Sequence, residues 1–332
     1  IIKQLEEYKE KIKKIEYIDM LLIPIRKGYT ADFNFIGIFD EFQCATPLII
    51  KFINNVLCPQ TRIYVYDLNQ FTSYWFGADL KAIRNEVKDS DMFLVLEKSY
   101  RVPKQVGERM EKWRKMLKTK DVVKYKPIFE KEGKFFSLDG SYKIIKEYIK
   151  DSVRRALREN KALLIQTRSH NLRRRIVSIL LKLGVPFTTV ETKRVESLPR
   201  ILYNAIFKII NGKGLTETEE LNIIRYLNEE GRKLYYKYVI TRKSFNVLKY
   251  LEIDSKLRSK ILNMLFMDIK TTIPEEPLIS VLTMNSSLGL TADINVIIER
   301  KKLYERKDYE NLLRVLYTSV GRTNKECFIF WI

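Results

Sequence analysis

Apolar positions along the 332-residue chain fall into two textures. One is a series of short runs that are apolar on consecutive residues: "FIGIF" (35–39), "RIYVY" (62–66), "MFLVL" (92–96), "ALLIQ" (162–166), "PFTTV" (186–190), "PLISVLTM" (277–284), "INVII" (294–298) and "CFIFW" (327–331). Runs without polar alternation need apolar surroundings on both faces. Separated by helix-length segments, they predict parallel strands covered by helices, an α/β fold. The stretch "SHNLRRRIVSILLKLG" shows one such crossover: Ser169 or Asn171 can cap it, Ile176, Ile179, Leu180 and Leu183 share a face, and Gly184 stops it. Residues 1–18 place Ile1, Leu5, Tyr8, Ile12 and Ile15 at alternating steps of four and three, which predicts an amphipathic helix. The second texture covers 191–275, where "LPRILYNAIFKII", "ETEELNIIRYLNEE" and "LRSKILNMLF" are helical in period, so a helical insertion is expected. The segment "KTKDVVKYKP" (118–127) is the expected crossing between two α/β units.

Charge narrows the choice of partner. Lys and Arg number 61 against 41 Asp and Glu, a formal net charge of +20. Such an excess points to a polyanion, nucleic acid before an anionic membrane, with a merely solvated basic surface as the alternative. No apolar run reaches the roughly 18 residues that a spanning helix needs. Cys44, Cys58 and Cys327 form no C-x-x-C pair and read as small reduced core residues of an intracellular, cytoplasmic protein. His170 is the single histidine, which argues against a histidine-based zinc site and a Ser-His-Asp triad. Chemistry must then rest on carboxylates, amides and arginines.

Ligands of parallel sheets sit beyond the carboxyl ends of strands, so the residues following each run carry the interest. "FIGIF" runs into Asp40 and Glu41, which suit a Mg²⁺-nucleotide site: one carboxylate for the metal, its neighbour for the attacking water. A helix cap explains Asp40 equally well. The next run ends in "YDLNQ" with Asp67 and Gln70, and a third leads to "EKSYR" with Arg101. Together they offer the group types that a metal-bound triphosphate requires.

These segments, in order and spacing, resemble the superfamily 1 DNA helicases of the UvrD/Rep (PcrA-like) type. "DEFQ" resembles that family's D-E-x-Q signature, "VYDLNQFTSYWFGAD" (65–79) its G-D-x-x-Q-x-I-Y-x-[FW]-R-G-A segment, and "LEKSYRVPKQV" (96–106) the segment centred on Tyr-Arg. "KALLIQTRSHNLRRRIVSILLKLGVPF" looks like the opening of the second motor domain. "VLTMNSSLGLTADINVII" (281–298) resembles T-x-H-x-x-K-G-L-E-x-D-x-V, and "LLRVLYTSVGRTNKECFIF" (312–330) the closing R-x-L-x-Y-V-A-x-T-R-A. The resemblance covers nearly the whole chain. It implies two RecA-like parallel-sheet domains of the P-loop NTPase fold, the first incomplete (1–124), the second formed by 125–190 and 276–332, with the insertion at 191–275.

It further implies ATP-driven translocation on single-stranded DNA, 3′ to 5′, with ATP and Mg²⁺ as cofactors and strand junctions among the substrates. Asp40 would hold Mg²⁺, Glu41 would activate water and Gln70 would sense the γ-phosphate. Arg101 and Arg322 would reach that phosphate, Arg322 as the arginine finger; a surface arginine is the plainer alternative. Trp75, with Phe76 beside it, would be the platform on which a DNA base stacks, where core packing is the other reading of so apolar a stretch. Thr283 and Asn285 would line the strand path. The superfamily also holds RNA-directed members, but residues 65–79 resemble the DNA-directed ones more closely.

The departures are specific. Tyr66 stands where the family has Gly, Phe76 where it has Arg, Asn285 where it has His, Leu288 where it has Lys, and Thr291 where it has the Glu that contacts the sugar. None of the 12 glycines belongs to a G-x-x-x-x-G-K-[ST] loop, and "NGKGLTE" (211–217) lacks both the preceding strand and the Ser/Thr. Because the family's phosphate loop lies well before D-E-x-Q, the chain, which opens on Ile1, is expected to be the larger C-terminal part of such a motor. A helicase-derived DNA-binding subunit without ATPase activity is the alternative.

Overall fold

The computed structural model describes residues 7–9, 11–117, 126–127, 132–189, 199–241, 245–266, 276–287, 289–301 and 309–332. Residues 118–125 of the expected crossing (118–127) and Leu288 lie outside them. The chain divides into two compact units. The first comprises Ile1–Glu97, Trp113–Lys124 and Glu310–Tyr317; the second comprises Lys98–Lys112, Tyr125–Tyr309 and Thr318–Ile332.

The first unit begins differently from its periodicity. Its described helical residues before Tyr17 stop at Lys13, whose φ of 51° is left-handed, so the expected helix over 1–18 does not run through. Lys9 pairs instead with Glu16 and Asp19 at 2.8 and 2.9 Å, and the Asp19 carboxylate accepts the Glu16 amide, which starts a new helix, α1 (Tyr17–Lys27). Strands β1 (Ile36–Phe39) and β2 (Thr61–Tyr64) pair in parallel, Ile36 opposite Thr61 and Phe39 opposite Tyr64. Their link is α2 (Pro47–Phe52), capped by the Thr46 hydroxyl and continued by a π turn at Ile53–Leu57. Helix α3 (Leu80–Val87) starts at Asp79, whose carboxylate accepts the amides of Lys81 and Ala82. Phe42, Ile53, Leu68, Phe71 and Ile83 form the core of this unit.

The run Met92–Leu96, expected as a third strand, is not one. All five side chains are exposed, Leu96 to 88%, and no strand among the described residues offers their backbone a partner. What pairs instead is the dipeptide Lys98–Ser99 with Lys126–Pro127, both in the second unit. Arg101 therefore does not follow a neighbour of β1 and β2. Helix α4 (Lys104–Met116) comes next.

The second unit is built on β3 (Lys134–Asp139), α5 (Tyr142–Glu159), β4 (Leu163–Thr167), α6 (His170–Leu183), four helices α7 (Arg200–Ile210), α8 (Glu217–Tyr226), α9 (Glu229–Thr241) and α10 (Ser255–Leu265), then β5 (Ile279–Thr283), β6 (Ala292–Glu299) and β7 (Thr323–Trp331); the helix before β7, α11 (Tyr309–Val320), has its Glu310–Tyr317 stretch in the first unit. The sheet order is β3-β7-β6-β4-β5 and every pairing is parallel. An all-parallel sheet with helical crossovers is compatible with a Rossmann- or RecA-like α/β fold. Helix α6 follows its sequence closely. Ser169 caps it at 3.3 Å, Ile176, Ile179, Leu180 and Leu183 are buried, and Gly184 ends it at φ 83°.

Strand β3 was not legible: Phe136 and Leu138 stay exposed at the sheet edge, so "KFFSLD" carries no buried run. "PFTTV" contributes only a bridge from Thr188 to Ser280. The regular structure among the described residues of 199–266 is helical apart from one bridge, Leu227 to Leu251. Their apolar faces (Leu202, Ile206, Ile223, Ile261) join the same core as Ile149, Ile176 and the sheet residues Ile165 and Val296. Of the three cysteines only Cys327 is buried; Cys44 is half-buried and Cys58 exposed, so the expectation of core cysteines fails for the latter. Among the described residues no helix is long and apolar enough to cross a membrane.

Glu299 ends the central strand fully buried. One carboxylate oxygen accepts the Arg300 amide at 2.9 Å, while burial pushes its pKa up to about 7 against the opposing pull of that amide, Arg168 and Arg300. The unfolded chain releases this proton near 4.5, the folded chain near 7, so folding binds a proton across that interval. Stability is therefore expected to fall as pH rises from 4.5 to about 7, by on the order of 3 kcal/mol, and Glu299→Gln should flatten that slope in urea unfolding across pH. Truncation of Ile165, fully buried on β4, to Ala should cost about 2–5 kcal/mol by the same measurement.

Candidate active site

Glu41 is the pivot of the first unit's strand ends. Directly after β1 it takes a left-handed conformation, φ 51° and ψ 37°, which for a side chain with a Cβ costs about 1–2 kcal/mol. The turn is held because the Phe42 amide donates to the Val65 carbonyl, and the Val65 amide to the Phe39 carbonyl, both at 2.9 Å. The reversal leaves Asp40 and Glu41 exposed at the carboxyl end of β1 while Phe42 and Gln43 turn inward and are buried.

Gln43 joins the two strand ends. Its amide nitrogen donates to Glu41 Oε2, and its oxygen accepts the Asp67 amide at 3.2 Å. Asp67 in turn accepts the Asn69 amide on Oδ1 and the Gln70 side-chain nitrogen on Oδ2, each at 2.9 Å. A continuous path thus runs Glu41–Gln43–Asp67–Gln70 across the ends of β1 and β2. Asp40 is not a helix cap: the cap of α2 is Thr46, and Asp40 Oδ1 accepts only the neighbouring Glu41 amide at 2.9 Å.

Sequence reasoning assigned no role to Gln43, although it stands in the quoted "DEFQ". It also missed Arg314. This arginine is buried within the apolar run "LLRVLY" of α11; Nη1 donates to the Leu68 carbonyl in the turn that carries Gln70, and Nη2 pairs with Glu310 at 3.1 Å. A guanidinium set among leucines was the available signal, since so costly a burial needs a partner.

Trp75 and Phe76 lie on a short 3₁₀ segment, Ser73–Phe76, and are 69% and 77% exposed. The core-packing reading of Trp75 is excluded. Its ring instead leans on Tyr74, centroids 4.7 Å apart, leaving an open aromatic surface.

The remaining predicted residues belong to the second unit. Arg101 is half-buried, with Nη1 3.4 Å from the hydroxyl of Thr291, the residue standing where the helicase pattern has Glu. Arg322 is buried on the turn between α11 and β7; its amide donates to the Ser319 carbonyl and its carbonyl accepts the Ala292 amide. Thr283 ends β5, its hydroxyl 2.7 Å from that of Ser286, and Asn285 is exposed on the same turn. Asp40, Glu41 and Gln70 thus come together in one unit, with Arg101 and Arg322 carried by the other.

Among the described residues no three His, Cys, Asp or Glu side chains cluster to hold a metal. Mg²⁺ does not need such a cage, since it keeps several waters and takes one or two carboxylates plus phosphate oxygens. Exposed Asp40 fits that demand. No family model matches the chain, and no curated protein matches it in sequence.

Replacing Gln43 by Met keeps the length but removes both bonds and strands the Asp67 amide. Urea denaturation should show a loss of about 1–3 kcal/mol, with the Asp67–Gln70 turn exchanging amide hydrogens faster.

Proposed function

We propose that the chain is the motor part of an ATP-dependent helicase that translocates on single-stranded DNA, built from two RecA-like domains with a helical insertion in the second. The observation that carries this is the Glu41–Gln43–Asp67–Gln70 path. It ties two strand ends together and leaves two carboxylates facing solvent at the edge where parallel sheets bind ligands. Mg²⁺, held by Asp40, would screen the phosphates when ATP is bound. Glu41 orients and deprotonates the attacking water, and Gln70, held by Asp67, reads the γ-phosphate. Arg101 and Arg322 supply planar, permanently charged donors for the negative charge that spreads over the phosphoryl oxygens.

DNA binding rests on the charge of +20 and on the exposed pair Trp75 and Phe76. Base stacking on an aromatic platform contributes about 1–3 kcal/mol per base. Trp75→Ala should therefore weaken binding of an oligo-dT by roughly 5- to 150-fold in fluorescence anisotropy, with stability unchanged because the ring is exposed. Affinity should also fall steeply as salt rises.

The second reading, a DNA-binding subunit without ATPase activity, is favoured by Asn285, Leu288 and Thr291 at the pattern's His, Lys and Glu positions and by the lack of a phosphate-binding loop in these 332 residues. Mg²⁺-ATP hydrolysis by the chain and by a longer natural polypeptide carrying such a loop separates the two. Turnover stimulated by single-stranded DNA in the longer form, abolished by Glu41→Gln, supports the motor. DNA binding with no turnover in either form supports the subunit.

A further inference from the structure

The carboxyl ends of β3, β7, β6 and β4 close the second unit's sheet in one row. Asp139 stands opposite Trp331, and Trp331 opposite Glu299. Thr167 stands opposite Ile298, so Arg168, the residue after β4, adjoins Glu299. Two members of the row have partners. Asp139 pairs with Lys301 at 3.0 Å, both well exposed, and the Trp331 indole donates to the Ser137 hydroxyl at 2.8 Å. Glu299 and Arg168 are left over. One carboxylate oxygen of Glu299 accepts the Arg300 amide, while Oε2 is buried without a hydrogen-bond partner. The Arg168 guanidinium, half-buried, lies within electrostatic reach of that carboxylate, yet among the described residues no hydrogen bond or ion pair holds it.

This arrangement suits one protonation state. A buried oxygen without a partner is tolerable on a neutral carboxyl and costly on a carboxylate. Burial accordingly pushes the Glu299 pKa up to about 7. Loss of the proton leaves a charge that needs the nearest uncommitted cation. Arg168 is that cation: neighbouring strands lie about 4.8 Å apart, well inside the reach of an arginine, and a guanidinium offers paired donors to a carboxylate. The other charged groups around Glu299 are exposed or engaged. Arg300 is exposed, Lys301 is held by Asp139, and His170 is exposed at the start of α6. Helix α11, which meets this face of the sheet through the Ser319 carbonyl, carries Glu310 and Arg314 paired with each other. The Glu299 backbone is pinned, since its carbonyl accepts the Ile332 amide at 2.9 Å and the Lys301 amide donates to the Ile332 carbonyl at 3.0 Å. Adjustment therefore falls to the Arg168 side.

We propose that Glu299 and Arg168 form a proton-operated latch across the carboxyl ends of β6 and β4. With Glu299 protonated the two are apart, as they stand here; when the proton leaves to solvent, the guanidinium moves onto the carboxylate and ties the turn at 167–170 to the end of β6. Arg168 immediately precedes Ser169, whose hydroxyl caps α6 and whose carbonyl accepts the Thr167 hydroxyl at 3.2 Å, so its capture is felt at the start of α6. The carboxyl edge of the second unit is then tighter above neutral pH than below it, whatever the chain acts on.

Carbon-13 NMR of the 332-residue chain labelled at the glutamate side-chain carboxyls tests the latch, with the Glu299 signal identified by its absence in Glu299→Gln. Its titration midpoint should lie near 7 in the wild type, stay there in Arg168→Lys, and rise to roughly 8 in Arg168→Gln, which removes the opposing charge. Hydrogen exchange over residues 167–172, corrected for the pH dependence of intrinsic exchange, should slow between pH 6 and pH 8 in the wild type and not in Arg168→Gln or Glu299→Gln. A wild-type midpoint near 4.5, an unchanged midpoint in Arg168→Gln, or the same slowing of exchange in that variant overturns the latch. Because Arg168 is only half-buried, its replacement by Gln leaves the core intact and keeps these readouts accessible.

Discussion

A buried amide side chain stands at the point where each sheet passes from core to site. Paired parallel strands satisfy their own backbones, but the turns beyond their carboxyl ends have no ladder to continue. Gln43 solves this in the first unit by accepting the Asp67 amide while donating to Glu41. Gln166 and Asn295 solve it in the second by gathering Ser287, Ser319 and Thr323. An amide is suited to the task because it donates and accepts at once, without the desolvation cost of a charge. The turns beyond both sets of strand ends hang on those two solutions. The left-handed Glu41 persists because the bonds around it outweigh its strain, and the Arg322 turn is held by a carbonyl shared among three donors.

The two units carry different groups. The first unit carries carboxylates in the open and an exposed aromatic pair, groups suited to a metal, a water molecule and a nucleobase. The second carries arginines whose side chains are half or wholly buried and which are placed by hydroxyls and carbonyls around them. Open acids and sheltered cations suit a phosphoryl-transfer chemistry in which most of the protein's work is placement of charge.

Much of the fold was legible where residues speak for both faces of a strand. The runs ending in Thr167 and Thr283 became buried strands, those ending in Asp40 and Asp67 became paired strands that leave Ile36, Ile38 and Ile63 exposed, and α6 declared its cap, stripe and stop in sixteen residues. Legibility failed at edges and at partnerships. "KFFSLD" pairs only on one side and leaves its aromatic residues half in water, so it lacks a strand's usual apolar signature. "MFLVL" has that signature but finds no backbone partner among the described residues. At the site, the acids could be read from type and position, yet Gln43 and Arg314 could not, because their roles depend on which turn lies opposite. The alternative assignments of Asp40 as a helix cap and Trp75 as a core ring were settled by geometry alone: Thr46 is the cap, and the indole faces solvent.

The proposed function is directed movement along a single strand, fuelled by ATP. The measurement that tests this most directly is the arrival of the natural polypeptide carrying this chain at the 5′ end of dye-labelled oligo-dT strands of increasing length, followed by stopped flow with ATP. A lag that lengthens in proportion to strand length, and vanishes without ATP, is the predicted result. Tight, salt-sensitive binding whose signal is the same at every length, with or without ATP, would contradict it.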